Sequence, residues 1–233
     1  MIGSVSDGAR AQTDRPRGGP AVMARRREPA ASLDDFPTPP WAVRALTEWL
    51  QNPCDRLLPG SRRPEAPTTS VLSCREPAAG RGHMARALAE AFGEVHQIDI
   101  HDYGTGNLDT VADYLDEPFW PFVDWTITNP PFRLAERFIR HALSLSEAGV
   151  AMLVRTQFLE GVGRHERLFA RHPPTAVLQF AERVPMVRGR LDPKASTATS
   201  YCWLVWDLCA TGPTQLVWLP PCRRRLEREE DWT

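Results

Sequence analysis

Apolar residues recur along the chain with two alternating periods. Ala42, Ala45, Leu46, Trp49 and Leu50 fall on one side of a helix that follows Pro39 and Pro40. VLSC (71–74) is a short apolar strand, AAGRG (78–82) a turn, and HMARALAEAF (83–92) a helix with Met84, Ala87, Leu88 and Ala91 facing one way. VHQIDI (95–100) is a second strand. A loop containing DYGTGN and a short helix in LDTVADYL lead to the strand VDWTIT (123–128). LAERFIRHALSLSEAG (134–149) is helical by the spacing of Leu134, Phe138, Ile139 and Ala142, with Gly149 placed to close it. GVAMLVRTQFL is a continuous apolar strand, ERLFARH a short helix, and TAVLQFAERVPMV and YCWLVWDLC two further strands.

Short apolar strands alternating with amphipathic helices predict an α/β fold, a mostly parallel sheet covered by helices on both faces. The final strands are joined by a loop with no evident helix. In such sheets ligands bind beyond the carboxyl ends of the strands, so the loops after them converge on one edge. The 233 residues, 42% hydrophobic, suffice for one substantial domain. Residues 1–30 are rich in Gly, Ala, Arg, Ser and Pro and read as a flexible arm. The domain is expected over 31–210, with a proline-broken connector at 51–70 and a C-terminal tail at 211–233.

The net charge of -1 announces no nucleic-acid ligand, so any such ligand relies on local patches. Lys194 is the single lysine among arginines. No run of 18 apolar residues and no secretory signal is evident, so a cytoplasmic protein without a membrane partner is the expectation. The five cysteines form no CxxC pair and the six histidines no metal-ligand set.

Chemistry concentrates on the predicted loop edge. Gly80 and Gly82 strip side chains from the turn after the first strand, freeing backbone N–H groups for a ligand. The turn lacks both the GxGxxG and the GxxxxGK[ST] patterns, which disfavours a dinucleotide or a nucleoside triphosphate. Asp99, ending VHQIDI, can accept from two ribose hydroxyls. Asp113 can accept from an adenine amino group, and Tyr114 beside it can pack on the ring. Turn and acids together describe a nucleoside pocket. TNPPF (128–132) completes it. The Asn129 side-chain carbonyl and the Pro130 backbone carbonyl, stiffened by Pro131, can grip both hydrogens of an exocyclic amine, while Phe132 offers a face for its ring.

These residues resemble the class I S-adenosylmethionine-dependent amino-methyltransferases, whose signature is Asp, Asn or Ser followed by two prolines and an aromatic; here it is NPPF, 129–132. EPAAGRG (76–82) looks like their cofactor loop, with AAG in place of the commoner Ala-Cys-Gly. FPTPPWAV (36–43) looks like the segment preceding that loop in adenine-N6 DNA methyltransferases. The resemblance covers residues 34–208 and is to small enzymes of phages and prophages. It implies a Rossmann-like fold with an antiparallel last strand. It implies S-adenosyl-L-methionine as cofactor, its methionine part held by Phe36 and Thr38, its remainder lined by Glu76 and the backbone from Ala78 to Gly82, its ribose by Asp99 and its adenine by Asp113. Asn129, Pro130 and Phe132 would hold the target base, and Phe180 is either the aromatic that sandwiches it or a core residue. Arg183, Arg188, Arg190 and Lys194 surround a Ser/Thr-rich loop that can track a phosphate backbone.

The expected reaction is direct attack of adenine N6 in DNA on the cofactor methyl group, with the base taken out of the stack if the DNA is duplex. No metal or cysteine nucleophile is invoked. Pro53-Cys54 and Pro221-Cys222 lie away from the catalytic loop, which disfavours cytosine-C5 chemistry. RNA adenine, cytosine N4 and a protein glutamine amide present the same kind of amino group and stay open. A non-catalytic binding protein that kept the fold is the alternative of another class. Few residues follow Asp207, so low sequence selectivity, or a partner that confers it, is expected.

Overall fold

The computed structural model describes residues 34–51, 68–116 and 119–232. The expected arm at 1–30 and most of the connector at 51–70 lie outside the described residues. Helix α1 is Pro40–Gln51, and β1 is Ser73–Glu76. They are followed by α2 (His83–Leu88), β2 (Glu94–Asp99), β3 (Thr110–Val111), β4 (Val123–Thr128), α3 (Ala135–Leu143) and β5 (Ser146–Arg155). After a short helical turn, α4 (Val162–Arg164), come β6 (Ala176–Phe180), β7 (Tyr201–Asp207), β8 (Gln215–Leu219) and the short α5 (Arg223–Leu226). The strands form one eight-stranded sheet in the order β3-β2-β1-β4-β5-β7-β6-β8. β7 alone runs antiparallel to its neighbours β5 and β6.

The central strands alternate between two cores. Ala151 and Leu153 of β5, with Trp203 and Val205 of β7, face a layer built on Trp41, Trp125 and Leu46. Val150, Met152 and Val154, with Leu204 and Trp206, face Tyr114, Phe138 and Ile139. Burial on both faces explains why β5 reads as an unbroken apolar run.

Four expectations change. The helix predicted over 134–149 stops at Leu143, and Gly149 lies inside β5, paired with Trp125 and Asp207. A Cβ there would sit 2.4 Å from Trp125 Cη2 and 2.7 Å from the Trp206 carbonyl, so the glycine serves close packing and not helix termination. Gly149→Ala should therefore lower unfolding free energy by about 1–3 kcal/mol in denaturant titration. LDTVADYL forms β3 and a turn, because Thr110 and Val111 pair with Ile98 and Asp99. The segment set apart as a tail at 211–233 contributes β8, whose residues 215–219 pair with 176–180 of β6. The expected antiparallel strand is thus followed by one more, parallel to β6. Finally, α1 is buried nearly all round and not on one side alone, because Arg44 reaches the C-terminal residues Leu226 and Asp231.

Candidate active site

One wall of the site begins where β1 ends at Glu76 and turns through residues 77–82 into α2. Gly80 and Gly82 take φ of 54° and 80°, the left-handed region open to glycine. Nothing lies within 4 Å of a Cβ built on Gly80, so its backbone is open to the cleft. At Gly82 such a Cβ would meet Asn107 Nδ2 at 2.9 Å; this glycine packs beneath the neighbouring loop. Helix α2 spans only six residues, so the loop's backbone geometry, more than a helix dipole, shapes this wall.

Two carboxylates face one another across the loop. Asp99 Oδ2 accepts the Gly80 N–H at 2.8 Å, and Oδ1 accepts the His101 N–H at 2.9 Å. These bonds fix the carboxylate while leaving lone pairs for hydroxyl donors. Burial raises the Asp99 pKa despite both N–H groups. Glu76 is 2% exposed and its Oε2 has no protein partner. Burial first, then the charge of Asp99, pushes its pKa well above the usual carboxylate range. A buried oxygen of this kind costs on the order of 1–3 kcal/mol unless a donor reaches it, which fits a ligand bearing amine or hydroxyl groups. His83, also on the cleft, receives Arg86 at Nδ1, and burial and that cation hold its pKa down to about 4.

The opposite wall is the NPPF turn between β4 and α3. Asn129 Nδ2 donates to the Phe36 carbonyl at 3.0 Å. A carbonyl can only accept, so this bond sets the amide's orientation and leaves Oδ1, buried and without a partner, as a free acceptor. The Phe132 N–H donates to Asp34 Oδ2 at 3.0 Å, and the Pro131 carbonyl is taken by the Leu134 N–H at 2.8 Å. The Phe132 ring lies 5.5 Å from Phe36 and 6.4 Å from Tyr201, tilted to both, with the Arg155 guanidinium 3.8 Å from its centroid. Segment 34–36 therefore latches the NPPF turn twice. It also holds the loop after β6, where the Gly189 N–H donates to the Asp35 carbonyl at 2.8 Å.

Between these walls lies an open cleft. Phe36, Thr38, Glu76, Ala78, Gly80, Asp99, Asp113, Tyr114, Asn129 and Pro131 all border it. Phe132 stands behind them, tilted against Phe36, and Pro130 is buried. Asp113 is half-buried, with Oδ1 taken by the Leu115 N–H at 2.9 Å. Tyr114 does not offer the free ring face expected of it. It is 1% exposed, packed against Phe138 and Trp120, and forms part of the cleft floor. Phe180 is likewise a core residue, 4% exposed and edge-on to Trp41, because β6 turns that side chain into the Trp41 layer. It cannot sandwich a base. Arg183, Arg188, Arg190 and Lys194 are exposed on the loop 181–200. Arg183 is tied to Ala198 O and Ser200 Oγ, and Arg190 to Asp192 at 3.3 Å.

Several residues at the cleft or beside it were not among the expected site residues. Asp34, Asp35, Arg81 and Tyr103 line the cleft, with Arg81 3.9 Å from Asp35 and 5.0 Å from the Tyr103 ring. Arg155 and Tyr201 sit at strand ends beside Phe132. A charged or aromatic residue where an apolar strand reaches the loop edge was the signal available for both.

No protein-family profile matches the chain, and no curated protein matches it. Among solved structures it is similar to a putative RNA methyltransferase, PH1948, from Pyrococcus horikoshii, at 18% identity and TM-score 0.54 over 78% of this chain and 90% of that one. It is also similar to a modification subunit of a putative type I restriction enzyme from Vibrio vulnificus YJ016, at 16% identity and TM-score 0.54 over 79% of this chain and 46% of the longer subunit. With a parallel sheet, one reversed strand beside β5 and the Gly80 turn at the carboxyl edge, the chain has the Rossmann-like class I S-adenosylmethionine-dependent methyltransferase fold.

Proposed function

We propose that the protein transfers a methyl group from S-adenosyl-L-methionine to the exocyclic N6 of adenine in DNA. The observation that carries this reading is the Asn129 amide at the cleft, locked by the Phe36 carbonyl so that its buried Oδ1 is left as an acceptor without a protein partner. A neutral aromatic amine is a weak nucleophile, because its lone pair is delocalised into the ring. Asn129 Oδ1 and the Pro130 carbonyl, accepting its two hydrogens, orient the amine and stabilise the positive charge that develops on attack. Phe132 stacks on the ring that bears it.

The opposite wall fits the cofactor. Asp99 would take the ribose hydroxyls, Asp113 the adenine amine, and Glu76 with the 78–82 backbone the polar groups between; Phe36 and Thr38 would border the methionine part. When bound, the cofactor supplies an activated methyl group, so the protein's contribution is orientation and exclusion of water. Asp99→Ala is expected to weaken S-adenosylmethionine binding roughly 10- to 100-fold in calorimetry, the equivalent of one or two charge-assisted hydrogen bonds.

DNA is favoured as substrate by the FPTPP segment over Asn129 and by the exposed cations of loop 181–200, which segment 34–36 holds next to the catalytic turn. Labelled S-adenosylmethionine offered with DNA, RNA and protein separately, followed by nucleoside analysis, tests the reading. N6-methyladenine in DNA is the expected product. Label confined to RNA, to cytosine N4 or to a glutamine side chain would reassign the substrate, and cofactor binding without transfer would leave a binding protein.

A further inference from the structure

The amine-holding turn is covered in this structure. Arg155, the last residue of β5, lays its guanidinium 3.8 Å from the Phe132 centroid, while Phe36 and Tyr201 meet the same ring only at a tilt. A base slotted between guanidinium and ring would need about 7 Å between the flanking planes. The two cannot hold a base between them as they stand.

Among the described residues, Arg155 is also a cation with no anion beside it. Arg167 has Glu136, Arg225 has Glu48 and Arg44 has Asp231, but among the described residues no carboxylate lies within ion-pair distance of Arg155. Its Nε is buried without a hydrogen-bond partner, and its polar neighbour is the Tyr201 hydroxyl. Guanidinium is flat and stacks on aromatic faces much as a base does, and it matches phosphate oxygens in a fork.

The geometry points to Arg155 as a placeholder: it occupies the Phe132 face until a target ring displaces it, and the displaced guanidinium then pairs with a phosphate of the strand that carries the ring. This rests on the methyl-transfer reading and sharpens its substrate class. A free nucleoside or a protein amide must expel the cation with nothing to offer it in return. A nucleotide within a phosphodiester chain supplies the partner that Arg155 lacks. The site therefore selects polynucleotide at the stacking step, in addition to whatever the exposed loop cations contribute.

The test uses the full chain saturated with S-adenosylhomocysteine, so that the cofactor side is filled, and calorimetric titration with adenosine, cytidine and a single-stranded oligodeoxyadenylate. Wild type, Arg155→Ala and Arg155→Lys are compared. In Arg155→Ala the nucleoside should bind about tenfold more tightly than in wild type, and the oligonucleotide more weakly, with the slope of log affinity against log salt reduced by about one. Arg155→Lys should keep the salt slope of wild type while sharing the gain for nucleoside, since it keeps charge and loses the flat group. Unchanged S-adenosylhomocysteine affinity controls for folding. If cytidine shows the gain and adenosine does not, the placeholder stands and the base assignment falls. Equal weakening of nucleoside and oligonucleotide, or no change in either, overturns the placeholder alone while leaving methyl transfer intact. Failure of every probe to bind all three proteins overturns it together with the nucleic-acid reading.

Discussion

Asn129→Ala is expected to lower kcat for methyl transfer by about 10²- to 10³-fold while cofactor affinity stays within about a factor of two. The split follows from where the residue's contacts lie. Asn129 Nδ2 holds the Phe36 carbonyl, and no described residue donates to Oδ1, so under the proposed reaction the loss falls on the acceptor meant to orient the amine. The cofactor wall built by Asp99, Gly80 and Glu76 is untouched. Asn129→Asp keeps an acceptor but gives up the donor to Phe36, setting carboxylate against carbonyl. It should fall between wild type and alanine. Single-turnover rates set beside calorimetric cofactor binding would separate these effects. A parallel loss of binding and rate in Asn129→Ala would show that the residue supports the cleft as a whole.

Arg44→Ala is expected to cost about 3–5 kcal/mol of unfolding free energy, the penalty for removing one partner of a buried ion pair. Arg44 is 7% exposed, and Asp231 is 4% exposed. The guanidinium meets Asp231 Oδ1 at 2.7 Å and Oδ2 at 2.8 Å, Glu90 at 2.8 Å and the Leu226 carbonyl at 2.7 Å. One side chain on α1 thus fastens the C-terminal segment across the sheet's Trp41 layer. The arrangement also sets an acid limit. Burial alone would raise the Asp231 pKa, but the hydrogen bonds from Arg44 and from the Arg228 N–H outweigh it and the folded-state value is lowered. A lowered carboxylate pKa stabilises the fold above its unfolded value, about 3.9, and that contribution is lost as pH falls through the folded value. Asp231→Asn should therefore be less stable than wild type at neutral pH, with the difference shrinking below about pH 4. The pair Arg44→Met with Asp231→Leu should recover much of the single-mutant loss, since both charges go together. Denaturant midpoints across pH 3 to 7 would check all three variants.

What the chain disclosed before folding was what its short-range pattern encodes. The Gly80 turn, Asp99 at a strand end and NPPF after β4 each sit at a boundary between an apolar run and a helix or loop, and Gly80, Asp99, Asn129 and Pro131 land on the cleft. What stayed hidden depends on partners far along the chain. Asp34 bonds Phe132 across 98 positions, and Arg44 bonds Asp231 across 187. No local period marks either. Phe180 and Tyr114 illustrate the same limit in reverse: an aromatic at a strand end or beside an acid looks available, and only the Trp41 and Phe138 layers packed against them show that their faces are taken. Gly149 read as a helix stop because a helix was the nearer explanation, whereas the Trp125 ring that requires it belongs to the adjacent strand. β8 carries a weak strand signal because its burial alternates on a half-exposed edge, with Leu216 and Trp218 facing outward.

The central proposal is methylation, in DNA, of an amine held by Asn129. Nucleoside mass spectrometry of DNA from a methylation-deficient bacterial host producing either the wild-type chain or Asn129→Ala at equal level reads this directly. N6-methyldeoxyadenosine appearing with wild type and falling to background with the variant is the predicted result. Equal amounts with both chains, or no methylated nucleoside from a wild-type protein that binds S-adenosylmethionine normally, would contradict it.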